Sequence, residues 1–245
     1  MKGRIASCVL LFLLIGIWEV LCRIIQIPVF ILPAPSRIVS VAIFQAPLLA
    51  HHALITCFEI LLGVALSVIV AIPMSILMFA SPLVEQALSP LLIASQAIPV
   101  FALAPLLIIW LGYGIWSKVC MAALIIFFPI TVNLLEGFKS CDSDYDKLFT
   151  LMGASFPKRL RYLYWPWALP YFFAGLKVGV SVATIGAVIG EWVGAQSGLG
   201  YLMIQWNARL RVDMVFAAIL WLTIIGISLW SIVSFLNKKV ITWNR

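Results

Sequence analysis

Residues 54–80 read LITCFEILLGVALSVIVAIPMSILMFA and hold one charged residue, Glu59. A helix of that length rises about 40 Å, more than the roughly 30 Å of a hydrocarbon core. The run shows none of the period-two alternation of a barrel strand. In lipid a helix satisfies every backbone N–H and C=O within its own segment, so the stretch is predicted to cross a membrane as a helix. Five other runs are of the same kind: Ile5–Ile27, Leu83–Leu111, Val119–Leu135, Ala168–Ile189 and Val215–Leu236. The run from Leu83 is over-long and carries Pro90, Pro99 and Pro105, so it is expected to kink or split. The fold class is therefore an all-α integral membrane bundle of about six transmembrane helices.

The whole chain agrees with that run. Of 245 residues, 64% are apolar and 10% charged, with a mean hydropathy of +1.14. A soluble domain is nearer half apolar and a quarter charged, so soluble enzymes and disordered tails are excluded. The net charge of +7 reads as a topology signal rather than a nucleic-acid footprint. With both termini cytoplasmic, Lys2, Arg4, Lys139, Lys147, Lys158, Arg159, Arg161, Lys238, Lys239 and Arg245 lie inside. Only Arg23, Arg37, Lys118, Arg209 and Arg211 lie outside. No small-x-small cleavage site follows the first run, and Trp18, Glu19 and Arg23 do, so that helix is read as uncleaved. Cys8, Cys22, Cys57, Cys120 and Cys141 are odd in number, scattered and without metal-ligand spacing; they read as small buried hydrophobes.

One linker differs. Residues 136–166 hold nine of the chain's charges. Ser143 is placed to cap a short helix whose first turn carries Asp144 and Asp146, the sign a helix N-terminus favours. Leu148, Leu151 and Met152 then share a face, and Gly153 suits the left-handed position that closes a helix. Ser155 is placed to cap a second helix with Pro157 in its first turn. There Leu160, Leu163 and Tyr164 make a stripe opposite Lys158, Arg159 and Arg161, and Pro166 and Pro170 mark its end. Helices of about ten residues are unstable alone in water. This pair either lies on lipid headgroups or docks a cytoplasmic partner.

The chemistry that is missing narrows the function. There is no G-x-x-x-x-G-K-[ST] loop, no H-E-x-x-H, and the two histidines, His51 and His52, are adjacent at the edge of a span. No aspartate pair lies within spans, and no catalytic constellation emerges. Polar residues inside spans are costly and so are functional candidates: Glu59, Gln96, Asn133, Lys177 and Glu191. Each also has an ordinary reading, an inter-helix hydrogen bond or a snorkelling chain. The run Gly190-Glu191-Trp192-Val193-Gly194-Ala195-Gln196-Ser197-Gly198-Leu199-Gly200 reads as a loop folding back over a cavity where the fifth helix ends. Gly175, Gly179, Ala183 and Ala187, with Gly186, Gly190 and Gly194 beside them, form a small-residue row expected to pack closely against another helix.

The linker resembles the signature loop of binding-protein-dependent ABC importer permeases. The resemblance rests on Gly153-Ala154-Ser155, then Leu160, Leu163 and Pro166-Trp167-Ala168-Leu169-Pro170; Lys147, Leu148 and Phe149 stand where the family has an acidic residue and two alanines. It extends through Leu32-Pro33-Ala34-Pro35-Ser36, Ile98-Pro99, Ala104-Pro105-Leu106, Trp110-Leu111-Gly112, Phe127-Phe128-Pro129-Ile130 with Asn133, and Gly190-Glu191-Trp192 with Gly198-Leu199-Gly200-Tyr201. These are similar to the nitrate, sulfonate, taurine and thiamine-precursor subgroup.

That resemblance implies a type-1 transmembrane core over 51–238, after an N-terminal helix and periplasmic connection over 1–50 and before a cytoplasmic tail over 239–245. Residues 142–165 would be the coupling-helix loop, with Asp146, Leu148, Leu151, Gly153, Ala154, Ser155, Leu160 and Arg161 contacting an ATPase. Gln96, Asn133, Glu191 and Trp192 would line the solute pathway. The implied partners are two copies of an ABC ATPase subunit, a periplasmic or lipid-anchored solute-binding protein, a second permease copy and membrane lipid, with no nucleic acid. ATP and Mg would sit on the ATPase, and this chain would bind no cofactor or metal and catalyse no reaction itself. The location would be a bacterial inner membrane. Glu59 stands where sulfonate and taurine members carry Arg, and the Glu-Trp pair resembles the pyrimidine-precursor branch, so a hydroxymethylpyrimidine-type thiamine precursor is the expected solute. Buried Glu59 and Glu191 would also disfavour an anion unless a neighbouring cation screens them. A sulfonate, taurine or nitrate importer permease is the alternative. An autonomous secondary transporter would show two related halves and midplane ion pairs, which are not evident, and a non-transporting subunit would leave the amphipathic pair unexplained.

Overall fold

The computed structural model describes residues 2–243, and the side chains of all of these except 2–5, 7 and 8. Lys2, Arg4, Cys8 and Arg245, used above, thus have side chains outside the described residues. The described chain is helical throughout: α1 Lys2–Ile24, α2 Pro35–Phe44, α3 Ala46–Ala80, α4 Pro82–Ala97, α5 Val100–Leu111, α6 Ile115–Lys139, α7 Ser143–Leu151, α8 Phe156–Arg159, a π turn Leu160–Tyr164, α9 Trp165–Trp192, α10 Leu199–Ala208 and α11 Val212–Val240. Among the described residues, four helical stretches are long and apolar enough to cross a membrane; counted as one span, the bent pair α4 and α5 makes five. The first predicted run falls on α1. The apolar segments thus became helices for the reason given: lipid offers their backbones no other partner.

The contacts divide the chain into two compact units, Met1–Thr56 with Gln196–Ile224, and Cys57–Ala195 with Ile225–Arg245. In the first, polar side chains close helix ends. Glu19 accepts hydrogen bonds from Ser36 N–H at 2.9 Å and Ser36 Oγ at 2.7 Å at the start of α2. His52 Nδ1 accepts from Gly198 N–H at 3.0 Å and Thr56 Oγ1 from Leu199 N–H at 2.9 Å, so α3 caps the N-terminus of α10. Arg37 and Arg211 both bridge the buried Asp213.

In the second unit, α6 and α9 pack against each other along most of their length. The small-residue row is the reason. A Cβ at Gly175 would lie 2.5 Å from the Pro129 carbonyl, at Gly179 2.9 Å from Ile126 Cγ2, at Gly186 2.7 Å from Ala122 Cα and at Gly190 3.0 Å from Lys118 Cα. Rising numbers on α9 meet falling numbers on α6, so the two are antiparallel and in backbone contact. Helix α3 instead runs parallel to α6. Ser67 donates to the Ala123 carbonyl and Ser75 to the Thr131 carbonyl, a constant offset of 56 residues.

Several boundaries differ from the sequence reading. Pro166 and Pro170 do not end the helix that begins at Phe156; it runs on to Trp192. Pro166 sits in the first turn of α9, where its missing N–H costs little, and the π turn just before it widens the backbone to take the ring. Gly190, Glu191 and Trp192 are helical rather than part of a loop, because packing on α6 needs Gly190 there. The connection is only Val193–Gly198, and α10 follows it. The two short helices α2 and α10 carried too little periodicity to be read.

Candidate functional site: a buttressed helical foot and a bent helix pair

The foot is α7, α8 and the π turn. Asp142, not Ser143, is the N-cap of α7: its carboxylate accepts from Asp144 N–H at 2.9 Å, and Ser143 is the first helical residue. Aspartate wins because its extended backbone precedes the turn and its charge meets the dipole. At the other end Gly153 adopts φ +72°. Its N–H donates to the Thr150 carbonyl at 2.9 Å, and Ala154 N–H donates to the Phe149 carbonyl at 3.0 Å. That pair of bonds is a Schellman closure, which turns the chain sharply into α8.

Asp146 locks the hairpin. It accepts from Arg159 Nη1 at 2.7 Å and from the Tyr164 hydroxyl, while Arg159 Nη1 also reaches Thr150 Oγ1 at 3.3 Å. The Tyr164 hydroxyl first, then the Arg159 guanidinium, hold the Asp146 carboxyl below its usual range. Arg159 is therefore turned inward, not set on the opposite face with Lys158 and Arg161 as the periodicity predicted. Below the lock, Leu163, Tyr164, Phe138, Leu134 and Ala168 form a buried cluster, with Phe79, Phe149 and Leu160 packed against it. Phe79 meets the Tyr164 ring edge-on at 4.7 Å between centroids. This buttress explains how helices too short to stand alone keep their shape.

The apolar face of α7 points away from the buttress. Leu148 is exposed, Leu151 is 85% exposed and Met152 74%. Ser155 is the N-cap of α8 by backbone conformation, without a side-chain bond. Arg161 is exposed and lies over the Tyr162 ring at 5.5 Å. Leu160 is half-buried, at the base of the foot.

The four pathway candidates stand at different heights. Glu191 is 1% exposed, one residue from the Gly190–Lys118 contact, and it lies within hydrogen-bonding reach of Glu59. Lys118 Nζ stands 3.8 Å from Glu59 Oε1, so the buried Glu59 has both an ammonium and a second carboxyl beside it. Asn133 donates to the Pro129 carbonyl of its own helix at 2.8 Å and packs where Gly175 crosses, about 22 Å along α6 from Lys118. Trp192 is half-exposed at the end of α9. Gln96 is exposed at the end of α4, where the span breaks by 101° before α5. The structure thus joins Glu191 to Glu59 and leaves Gln96 and Asn133 apart. Lys118 escaped the sequence reading, which placed it in an outside loop. The Gly112-Tyr113-Gly114 turn was the available signal, since it starts α6 at Ile115 and puts Lys118 one turn inside.

The family described as binding-protein-dependent transport system inner membrane component matches residues 63–242. The chain belongs to that family. It is a multi-pass membrane component of a transport system, a permease and not itself an enzyme. The permease is 42% identical over 234 residues to the formylaminopyrimidine transport permease ThiX of Halalkalibacterium halodurans, covering 95% of this chain and 93% of that one. It is 37% identical to the riboflavin transport system permease RibX of Chloroflexus aurantiacus, over 96% of this chain and 88% of that one. It is 28% identical to the taurine transport system permease TauC of Escherichia coli, with the same coverage. Its fold is similar to that of a chain in an inward-facing MetNI methionine ABC transporter structure, with a TM-score of 0.69 at 16% identity, over 80% of this chain and 96% of that one.

Proposed function

We propose that the permease imports a hydroxymethylpyrimidine-type thiamine precursor across a bacterial inner membrane, driven by ATP hydrolysed on a partner. Two ATPase subunits bind ATP and Mg, a second permease copy completes the passage, and an external binding protein delivers solute. Both termini face the cytosol, which the distribution of Lys and Arg supports. The observation that carries this reading is the foot: an apolar tip at Leu151 and Met152 held rigid by the Asp146 lock, on a chain with no phosphate loop of its own. Closure of the ATPases pushes on that tip, with Leu148, Gly153, Ala154, Ser155, Leu160 and Arg161 around it. The bundle then switches between its two facing states as a rigid packing change.

The solute assignment rests on the 42% identity to a formylaminopyrimidine permease. Gln96, Asn133, Glu191 and Trp192 are the pathway residues. Reconstitution with the candidate ATPase and binding protein tests the reading: labelled hydroxymethylpyrimidine should accumulate only with ATP. Uptake by the permease alone, driven by an ion gradient, would establish a secondary transporter instead. Cross-linking from Leu151→Cys that caught only lipid would remove the coupling role.

A further inference from the structure

The parallel pairing of α3 and α6 fixes what α4 and α5 do. Two parallel spans need an odd number of crossings between them, so α4 and α5 together cross the bilayer once rather than dipping in and returning. That crossing breaks at Ile98-Pro99. The neighbours set its depth. Ser95, Gln96, Ile98 and Val100 line a cavity of about 240 Å³ together with Leu124 and Phe127. Those two residues are at the middle of α6, which runs Ile115–Lys139. The break therefore lies near the membrane midplane.

Polar groups are exposed at that depth. Pro99 has no N–H, so the Ser95 carbonyl loses its partner four residues on, and the first N–H groups of α5 begin a new helix. The turn is closed by Ala102 N–H donating to the Pro99 carbonyl at 2.9 Å. Ser95 and Gln96 are exposed on the chain's surface, and Gln96 Nε2 reaches only the Ser95 hydroxyl, at the 3.5 Å limit of a hydrogen bond. Hydrocarbon cannot satisfy such groups; a broken span at this depth persists where it lines water or protein.

We propose that the α4–α5 elbow is a mid-membrane solute site on a hydrated passage, read by the Gln96 amide. It takes an uncharged, hydrogen-bonding solute of about one ring. The walls, among them Met74, Leu88, Leu103 and Phe127, are apolar, and no ionisable side chain lines the cavity. A sulfonate would find no counter-charge there. A volume near 240 Å³ is below the roughly 300 Å³ at which drug-sized pockets begin, so a large bicyclic solute is a poor fit. By contrast, the neighbouring cavity at Leu66, Val70 and Leu107 has its one hydroxyl, Ser67, already bonded to the Ala123 carbonyl. The proposal rests on the permease reading and adds the place and chemistry of solute recognition.

The test places Ser95→Cys and Gln96→Cys singly in the full transporter with the native cysteines changed to Ser, in cell membranes. A charged, water-soluble methanethiosulfonate should label both positions, and saturating hydroxymethylpyrimidine should slow labelling about tenfold while taurine does not. Uptake by Gln96→Leu should fall about tenfold, with Gln96→Asn within about threefold of the parent. Labelling by a lipid-soluble maleimide alone puts the elbow against lipid and overturns the proposal. So does labelling that the pyrimidine leaves unslowed, or that taurine slows. Reagent access requires no ATP hydrolysis, so a parent complex that showed no ATP-driven uptake would sink the permease reading without touching the access result.

Discussion

Asp146, in the first turn of α7, accepts a hydrogen bond at 2.7 Å from Arg159, thirteen residues later. The Tyr164 hydroxyl donates to the same carboxylate oxygen. One side chain thus ties the tip of the foot to the base of α9, the helix that packs backbone-to-backbone on α6. In the proposed coupling role, a push at Leu151 would reach the bundle through that tie.

Asp146→Asn keeps the shape but removes the charge. The lock is partly exposed, so its loss should lower thermal stability by only about 1 kcal/mol, while coupled transport falls several-fold. The ratio of solute moved to ATP hydrolysed in proteoliposomes is the measurement. An unchanged ratio would show that the lock carries no force.

The same carboxyl predicts a pH dependence. Its folded value lies below the ordinary 3.8, so the ionised lock stabilises the foot at every pH above 3.8 and that contribution fades as pH falls through the lower folded value. Thermal unfolding in detergent followed downward from neutral pH should show an acid-side loss, below pH 3.8, that Asp146→Asn lacks. Around neutral pH the two curves should be flat and parallel.

Gly153 has open space where a Cβ would go, so a substitution there is strained by φ alone. Gly153→Val should cost about 1–2 kcal/mol at the turn and uncouple transport, whereas Gly153→Asn, which tolerates that region, should retain most of it. Equal uptake by the two variants would refute the hinge.

At Gly186 the obstacle is steric instead. Gly186→Val drives a Cβ to 2.7 Å from Ala122 Cα and should lower stability by about 3 kcal/mol or prevent folding. Gly16→Ala, with nothing within 4 Å, should melt like the parent protein. Melting curves in detergent separate these cases.

Lys118→Met leaves the buried Glu59 without its cation. The loss should be about 3 kcal/mol, and Glu59→Gln added to it should restore most of that. Additive losses in this double-mutant cycle would mean that the 3.8 Å pair is not energetically coupled.

Much of this was legible in the amino-acid order. Apolar runs of 20 residues or more have one backbone solution in lipid, so α3, α6, α9 and α11 could be placed to within a few residues at most ends. Gly153 announced its left-handed turn, and the glycine row announced a close helix contact. Local propensity failed where packing outranked it. Pro166 and Pro170 looked like terminators because nothing local reveals the π turn before Pro166, or that α9 runs on through Pro170. Gly190-Glu191-Trp192 looked like a loop because glycine and charge are weak helix formers until a neighbouring backbone needs the room.

The sequence by itself determined the solvent, the helical class and the presence of a short amphipathic helix pair, since these depend on runs and periods along the chain. Only the tertiary structure decided that Asp146 meets Arg159, that Lys118 pairs with the buried Glu59, and that α3 runs parallel to α6 with a sharp bend between α4 and α5. Those facts depend on which helix lies beside which, and in which direction. Helices in lipid choose neighbours by shape, Gly175 against Pro129 or Gly63 against Ala122, rather than by a hydrophobic pattern that every face of them shares.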